Sequence, residues 1–386
     1  MLNNPAKYQQ FVLGRESLSV ASRGLHDIKQ GFDLNVQQGQ GGAWYSVPNL
    51  EHGNAQRQKN AGYRGPGIAP GDMSEKLLVK AANDLLLEAE QDNRPIECLV
   101  VTFRAGNTIK ALKSVKHRLT PESTVLFFIR NGSGAIDEVN NEVFPDPSTR
   151  PHYISGVSRH GLTGRFPFHV THCRIGPVLL SPVPPSFPQA VNVEEEEEEE
   201  EEEDWAPTTK YLLHTLTTTP ALVAVTVPYT EVLQYQYERL AIYSIIDPLT
   251  ALLDCRNGEP LYHMSFSRVV QLLLIEISAV ICHLPELRGV PGVEHRFSVE
   301  RLRQIAISTM NKTGGMSSAM TKDVHEGRIL DVGHLNGFIV TRGEDLGIKC
   351  PLNYMIMQLV IAKRQIRLQR EERAIPMEDL GGEFDQ

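Results

Sequence analysis

The stretch that decides the fold spans residues 238–262 and reads ERLAIYSIIDPLTALLDCRNGEPLY. Its apolar residues recur at the three- and four-residue spacing of a helix, and the same spacing extends back to residue 229. We therefore predict a helix over residues 229–246. The dipeptide Asn257-Gly258 predicts a loop after it, because this pair favours tight turns.

The rest of the C-terminal half carries the same helical spacing. Further helices are predicted over residues 208–217, 264–284, 298–312, 328–345 and 351–372. An all-α domain over residues 208–374, followed by a tail at 375–386, is the interpretation that fits this run of helices.

The N-terminal half instead alternates between strands and helices. Ile96 to Phe103 and Thr124 to Ile129 are continuous apolar runs, as expected for strands of a parallel sheet that is buried on both faces. Helices are predicted at 111–117 and 133–143, and strands at 152–158 and 167–182. Residues 1–181 therefore resemble part of a Rossmann-type domain, and the Pro-rich and poly-Glu segment 182–207 is predicted to be a linker.

Composition narrows the function classes. The formal charge of −9 is due to the acidic tract Glu194 to Asp204, and the remainder is nearly neutral, which argues against nucleic-acid binding. The N-terminus has no apolar signal segment and no stretch is apolar for long enough to span a membrane. Five scattered cysteines favour reduced thiols and a cytoplasmic location.

A metal site is not predicted from the cluster His169, His172 and Cys173. On a strand, His169 and His172 would point to opposite faces of the sheet, which is unfavourable for binding one zinc ion.

Four segments, in the right order, resemble the ketopantoate reductase family. They are the stretch 238–262, Leu99 to Ala105 with Arg104 near its end, Leu126 to Gly134 with Asn131-Gly132, and Ser317 to Pro351 with Leu335-Asn336-Gly337-Phe338. The resemblance implies an incomplete Rossmann-type parallel sheet domain followed by a 6-phosphogluconate-dehydrogenase-like helical C-terminal domain. It also implies NADPH-dependent reduction of 2-dehydropantoate, a 2-oxo acid, to pantoate in pantothenate biosynthesis.

The resemblance assigns roles to residues of this chain. It implies that Arg239 and Asp331 are catalytic, that Tyr243, Asp247 and Ser318 bind substrate, and that Arg104, Asn131 and Gly132 contact the cofactor.

Several of these positions depart from the family pattern. Arg239 stands where the family has a lysine proton donor, and arginine is a poor acid because it stays protonated throughout the usable pH range. Tyr243 and Asp247 replace asparagines, Asp331 replaces glutamate, and Ala319 falls where a serine is expected. Arg239 can bind a carboxylate or an oxyanion, whereas Tyr243 adds bulk to the cleft and Asp247 adds a charge that would repel an anionic substrate.

The glycine-rich turn that would bind the cofactor pyrophosphate was not found in the sequence. Gly14 and Gly39 to Gly42 are the nearest glycine contexts, and neither lies between an apolar strand and a helix. Without this turn NADPH would lose its main anchor, so two alternatives stay open beside the reductase. One is a catalytically degenerate relative that acts as a binding module or as a homodimer through the helical domain, and the other is a truncated gene model.

Overall fold

The computed structural model describes residues 18–22, 25–29, 34–37, 44–47, 90–91, 93–102, 105–128, 134–166, 169–184 and 205–372. The glycine contexts at residues 14 and 39–42 and the poly-Glu tract lie outside these ranges.

Strands occupy the N-terminal half and its junction with the helical part. They are β1 (Leu18–Ser22), β2 (Leu25–Lys29), β3 (Leu34–Gln37), β4 (Trp44–Val47), β5 (Glu90–Gln91), β6 (Cys98–Val101), β7 (Thr124–Phe127), β8 (His152–Ser158), β9 (Gly161–Phe166), β10 (His169–Arg174), β11 (Val178–Pro182) and β12 (Ala224–Thr226).

A five-stranded sheet with the order β12-β11-β8-β7-β6 organises the N-terminal domain. The neighbours β6, β7 and β8 are parallel, as the continuous apolar runs predict, and every residue of β7 is buried. β11 runs antiparallel to β8 and parallel to β12. A second sheet has the order β2-β1-β10-β9, and a third has the order β3-β4-β5. The Rossmann-like parallel arrangement is thus confirmed for β6 to β8.

Helices cover the strands and build the second domain. They are α1 (Ala105–Val115), α2 (Ala135–Glu142), α3 (Pro207–Thr217), α4 (Tyr229–Leu253), α5 (Met264–Cys282), α6 (Val293–Arg296), α7 (Val299–Lys312), α8 (Ala319–His325), α9 (Asn336–Asp345) and α10 (Pro351–Glu372), with 3₁₀ turns that include Pro285–Leu287 and Asp331–His334.

The long helix α4 lies at the centre of the helical domain. It packs against α5, α7, α8 and α10, and Leu240, Ala241 and Ile245 are almost completely buried in the shared core. By contrast, Leu212 and Leu213 of α3 pack with strand residues of the five-stranded sheet, and β12 extends that sheet. We therefore propose that the helical domain begins near Tyr229 rather than at residue 208.

Among the described helices, α5 is long and apolar enough to cross a membrane by length and composition. Leu273, Leu274 and Ile277 of this helix are completely or almost completely buried in the core that α4 organises. In this fold α5 therefore acts as a core helix.

Helix α4 continues to Leu253, seven residues beyond its predicted end at 246, although it contains Pro248. Proline has no N–H, and so the carbonyl of Ser244, four residues earlier, loses its helical partner. Asn336 compensates, because its Nδ2 donates to the Ser244 carbonyl at 3.0 Å and to Asn353 Oδ1 at 3.0 Å. A side chain from a distant segment therefore satisfies the backbone where the proline interrupts it.

The turn at Asn257-Gly258 is confirmed, and its glycine has a steric reason. A Cβ on Gly258 would lie 2.8 Å from the Cα of Gly314, closer than real side chains approach a backbone. The two segments are joined by backbone hydrogen bonds from Gly258 N to Gly314 O and from Asn257 N to Met316 O.

Two predicted elements are wrong in detail. The single strand at 167–182 is two strands, β10 and β11, since Gly176-Pro177 interrupts the pairing and proline cannot donate to a ladder. The single helix at 328–345 is the 3₁₀ turn Asp331–His334 followed by α9. Leu335 separates the two with φ −105° and ψ −92°, which is not a helical conformation.

Candidate active site in the cleft between the domains

A stripe of polar side chains runs along one side of α4. Arg239, Tyr243 and Asp247 follow one another at four-residue steps and so share one side of the helix. Gln236 begins the stripe, and its Nε2 donates to Ser155 Oγ on β8 at 2.8 Å. Three residues assigned to the site from the sequence thus lie on a helix face that contacts the sheet at its first turn.

Arg239 and Tyr243 form a stacked pair. The guanidinium carbon of Arg239 lies 4.9 Å from the centroid of the Tyr243 ring, within the range of a cation–π interaction. This contact restricts the movement of the guanidinium. Its N–H donors lie in the plane of the guanidinium group, in the arrangement that binds a carboxylate. Asp247, one turn further along, is only 4 % exposed.

Ser318 has a structural role in this fold. It is 4 % exposed and caps α8, because its Oγ accepts a hydrogen bond from the backbone N–H of Thr321 at 3.1 Å. The hydroxyl of Thr250 on α4 also donates to it at 2.9 Å. The hydroxyl that was expected to bind substrate is therefore engaged in helix capping and in joining α8 to α4.

Asp331 starts the 3₁₀ turn Asp331–His334 and is half-buried. The same turn reaches the N-terminal domain through His334, whose Nδ1 lies 3.7 Å from Glu138 Oε1 on α2. His334 Nε2 also lies 3.4 Å from the place that a Cβ on Gly106 would take at the start of α1. The late sequence segment thus lies across the cleft from α1 and α2.

The expected cofactor residues Arg104, Asn131 and Gly132 lie outside the described residues. Their neighbour Gly134 precedes α2 with φ +90°, a left-handed conformation that favours glycine. A Cβ at Gly134 would be 3.2 Å from the ring of Phe338. Gly134, at the start of α2, therefore faces Phe338 of the Leu335-Asn336-Gly337-Phe338 segment of the helical domain.

A pocket lies at this meeting point of the two domains. It is lined by Phe127, Gly134, Ile136, Asp137, Ser155, Tyr229, Leu233, Gln236, Tyr237, Glu286 and Phe338. Its walls come from the ends of β7 and α2, the first turns of α4, the 3₁₀ turn Pro285–Leu287 and α9. Ligands of open α/β sheets bind in this kind of position.

Buried ionisable groups surround the pocket. Burial, reinforced by the Glu286 carboxylate, raises the pKa of Asp137, while Arg342 acts in the opposite direction. Asp137 Oδ1 is buried with no hydrogen-bond partner among the described residues. Burial and the nearby Glu286 also hold the pKa of the Tyr237 hydroxyl well above its usual value. Tyr237 is therefore a hydrogen-bond donor throughout the working pH range.

Sequence reasoning did not select Asp137, Tyr237, Glu286 or Arg342. Glu286 follows a proline in a short turn, where an acidic residue is usually solvent-exposed, so no local pattern indicated its burial. Among the described residues no group of three or more potential metal ligands occurs. His172 instead contacts His160, with 2.9 Å between Nε2 and Nδ1.

A sheet with parallel strands β6 to β8, a helical domain and a polar pocket where the two meet define a two-domain protein of the Rossmann-like class. The family models agree with this class. Residues 56–185 match "Ketopantoate reductase PanE/ApbA" and residues 231–364 match "Ketopantoate reductase PanE/ApbA C terminal". The two matches together cover more than half of the chain, and it belongs to the ketopantoate reductase family.

Individual relatives are distant. The chain is 28 % identical over 277 residues to a probable 2-dehydropantoate 2-reductase of Schizosaccharomyces pombe, covering 71 % of this chain and 75 % of the relative. It is 26 % identical over 271 residues to the 2-dehydropantoate 2-reductase of Shigella flexneri, covering 69 % and 74 %.

Solved structures share the fold. The ternary structure of D-mandelate dehydrogenase with NADH and anilino(oxo)acetate has a TM-score of 0.59 at 15 % identity and covers 93 % of this chain and 88 % of that one. A PanE/ApbA family ketopantoate reductase from Ralstonia eutropha JMP134 has a TM-score of 0.55 at 18 % identity, with coverages of 72 % and 83 %.

Proposed function

We propose that this protein reduces a 2-oxo acid to the 2-hydroxy acid with a reduced nicotinamide cofactor. The first candidate reaction is NADPH-dependent reduction of 2-dehydropantoate to pantoate, the activity for which its relatives are named. The observation that carries the proposal is the cation–π contact of Arg239 with Tyr243, on the α4 face that Gln236 joins to β8. A fixed guanidinium is suited to the bidentate binding of the carboxylate that every 2-oxo acid carries.

We expect the nicotinamide end of such a cofactor to bind at the strand ends beside Gly134. Gly134 keeps the backbone of the loop after β7 free of a side chain where it faces Phe338. Arg104, Asn131 and Gly132 would hold the cofactor from the adjoining strand ends, in line with the resemblance. When bound, the reduced nicotinamide supplies the hydride for the reaction.

The residues of the chain would then manage the charge that develops on the substrate. Hydride addition to the ketone carbon leaves an alkoxide oxygen, which Arg239 would stabilise as a hydrogen-bond donor. Because arginine does not release its proton readily, the proton that completes the hydroxyl would come from water or another acid. Asp331 would accept a hydrogen bond from a substrate hydroxyl.

Binding and turnover of the full chain test the proposal. NADPH and NADH are titrated separately by cofactor fluorescence, and oxidation of the reduced cofactor is followed with 2-dehydropantoate and with phenylglyoxylate. Saturable binding of either cofactor and turnover of either acid would support the proposal, and the ratio of rates would define the substrate. No binding and no turnover would refute it and support the catalytically degenerate alternative.

We further propose that a second copy of the chain binds to the apolar surface of α5 and α10. Leu272, Ile275, Met355 and Leu359 are each about half exposed, between 47 % and 51 %. The two helices are neighbours, since Asn353 Nδ2 donates to Leu273 O and to Glu276 Oε2. Light scattering should give twice the chain mass, and Leu272→Glu should halve it; a monomeric wild-type protein would exclude the dimer.

A cytoplasmic location stays a prediction.

A further inference from the structure

Glu286 joins two helices of the cleft although it lies outside the α4 stripe. Its side chain is 4 % exposed and sits on the 3₁₀ turn Pro285–Leu287. The Tyr237 hydroxyl donates to Glu286 Oε1 at 2.5 Å, and Arg342 Nη2 donates to both carboxylate oxygens at 2.8 and 2.6 Å. One buried carboxylate thus connects α4 with α9.

Both partners of Glu286 adjoin the walls of the cleft. Tyr237 lies two residues before Arg239 on α4, and its ring centroid is 6.1 Å from that of Phe338 on α9. The Arg342 guanidinium lies 6.0 Å from the same Phe338 ring. Phe338 in turn contacts Gly134 of the N-terminal domain. Glu286 therefore lines the pocket and is bonded both to the helix that carries Arg239 and to the helix whose Phe338 ring faces Gly134.

The charges make this network sensitive to the loss of any member. Charged hydrogen bonds in a buried site are strong, and a partner left unpaired there is costly. Asp137 adds a second carboxylate, and its pKa is raised by burial and by Glu286. Arg342 donates to both oxygens of Glu286, whereas it acts on Asp137 only through its charge. The position of α9 therefore depends on how Glu286 engages Arg342.

We propose that Glu286 is a positioning residue for the reduction proposed above, on which this inference rests. Through Tyr237 it fixes the turn of α4 that presents Arg239, and through Arg342 it fixes Phe338 against Gly134. The Arg239 guanidinium, which would bind the substrate carboxylate, and the nicotinamide side of the cleft are thereby held at a fixed distance from each other before substrate binds. Such preorganisation acts mainly on substrate binding, because a loosely held guanidinium must be ordered by the ligand itself.

Two tyrosine variants separate positioning from general stability. Tyr237→Phe removes the hydroxyl that reaches Glu286. Tyr153→Phe removes a comparable buried hydroxyl, which donates to Asn140 Oδ1 at 3.0 Å in the sheet domain. Both should lower the unfolding midpoint, Tyr237→Phe by more because its hydroxyl binds a carboxylate, but only Tyr237→Phe should raise KM for the 2-oxo acid, by about tenfold with a smaller change in kcat. Equal KM values for the two variants would overturn the proposal.

Hydrogen exchange supplies a readout that does not need activity. In Tyr237→Phe and in Glu286→Gln, amides of residues 238–243 and 336–342 should exchange about tenfold faster than in the wild type, whereas Tyr153→Phe should leave them unchanged. Unchanged exchange in both cleft variants would refute the positioning role. If the wild-type protein turned over no 2-oxo acid, the proposed reduction would fail while the exchange data would still decide whether Glu286 fixes the two helices.

Discussion

Replacing Asn336 by alanine tests how the fold tolerates a proline inside its central helix. Asn336 is completely buried, and its Nδ2 donates to Ser244 O and to Asn353 Oδ1. Alanine removes both bonds and leaves the Ser244 carbonyl without a partner, because Pro248 cannot supply an N–H. Two lost hydrogen bonds at about 1 kcal/mol each, plus part of the cost of a buried unpaired carbonyl, give a destabilisation of about 3 kcal/mol.

The assay is urea unfolding followed by the circular dichroism of the helices. Asn257→Ala is the matched control, since Asn257 is also buried and its Nδ2 makes one bond, to Thr313 Oγ1 at 2.9 Å. The Thr313 hydroxyl keeps its own bond to Thr309 O after the change. The control should therefore lower the free energy of unfolding by about 1 kcal/mol, because it loses only one hydrogen bond and leaves no carbonyl without a partner.

A double-mutant cycle gives the decisive comparison. Pro248→Ala restores a backbone N–H that can donate to Ser244 O within the helix. In that background Asn336→Ala should cost about 1 to 2 kcal/mol less than in the wild type, because the carbonyl is no longer left unpaired. Additive costs in the cycle would refute the idea that Asn336 compensates for the proline.

Three further outcomes are expected. Arg239→Lys should raise any slow reductase rate at neutral to alkaline pH, because a buried ammonium can give up its proton where a guanidinium does not; an unchanged rate would mean that protonation of the substrate is not limiting. Since burial raises the pKa of Asp137 in the fold, its contribution to stability is present in acid and is lost as pH rises through the raised pKa, so Asp137→Asn should gain stability relative to wild type as pH rises above the ordinary carboxyl range; parallel pH profiles would contradict this. Ser318→Ala should destabilise the protein by about 1 kcal/mol through loss of a helix cap, more than Ser298→Ala, whose side chain makes no cap bond; equal losses would show that the cap contributes little.

The helical spacing around α4 predicted its existence and its place in the core, since periodicity reports which face is buried. The predicted end of the helix at residue 246 was wrong because proline usually breaks a helix. The hydrogen bond that compensates for Pro248 comes from Asn336, a residue far away in the sequence. No local pattern can reveal a side chain that reaches the backbone across the fold. The same limitation applies to the strands after residue 166, where pairing partners decide the boundaries.

The sequence likewise predicted only part of the candidate site. Arg239, Tyr243 and Asp247 were brought to one helix face by their spacing, and the structure adds the stacking of Arg239 on Tyr243. Ser318 was expected to bind substrate. In the structure its hydroxyl oxygen caps α8 and accepts a hydrogen bond from the Thr250 hydroxyl. Glu286 could not be found from the sequence, because its importance comes from three segments that meet only in the folded chain.

The residues that identify the family are largely those that the fold requires. Pro248 and Asn336 belong to two of the segments that carry the resemblance, and the structure joins them through the Ser244 carbonyl. Gly134, in a third segment, has a left-handed backbone and faces Phe338. Phe338 belongs to the same segment as Asn336, Ser317 to Pro351. The position that would protonate the product is instead occupied by an arginine held against a tyrosine. Family membership therefore accounts for how the two domains meet in this chain, whereas we propose that the choice of 2-oxo acid and the source of the proton depend on Arg239, Tyr243 and the groups around Glu286.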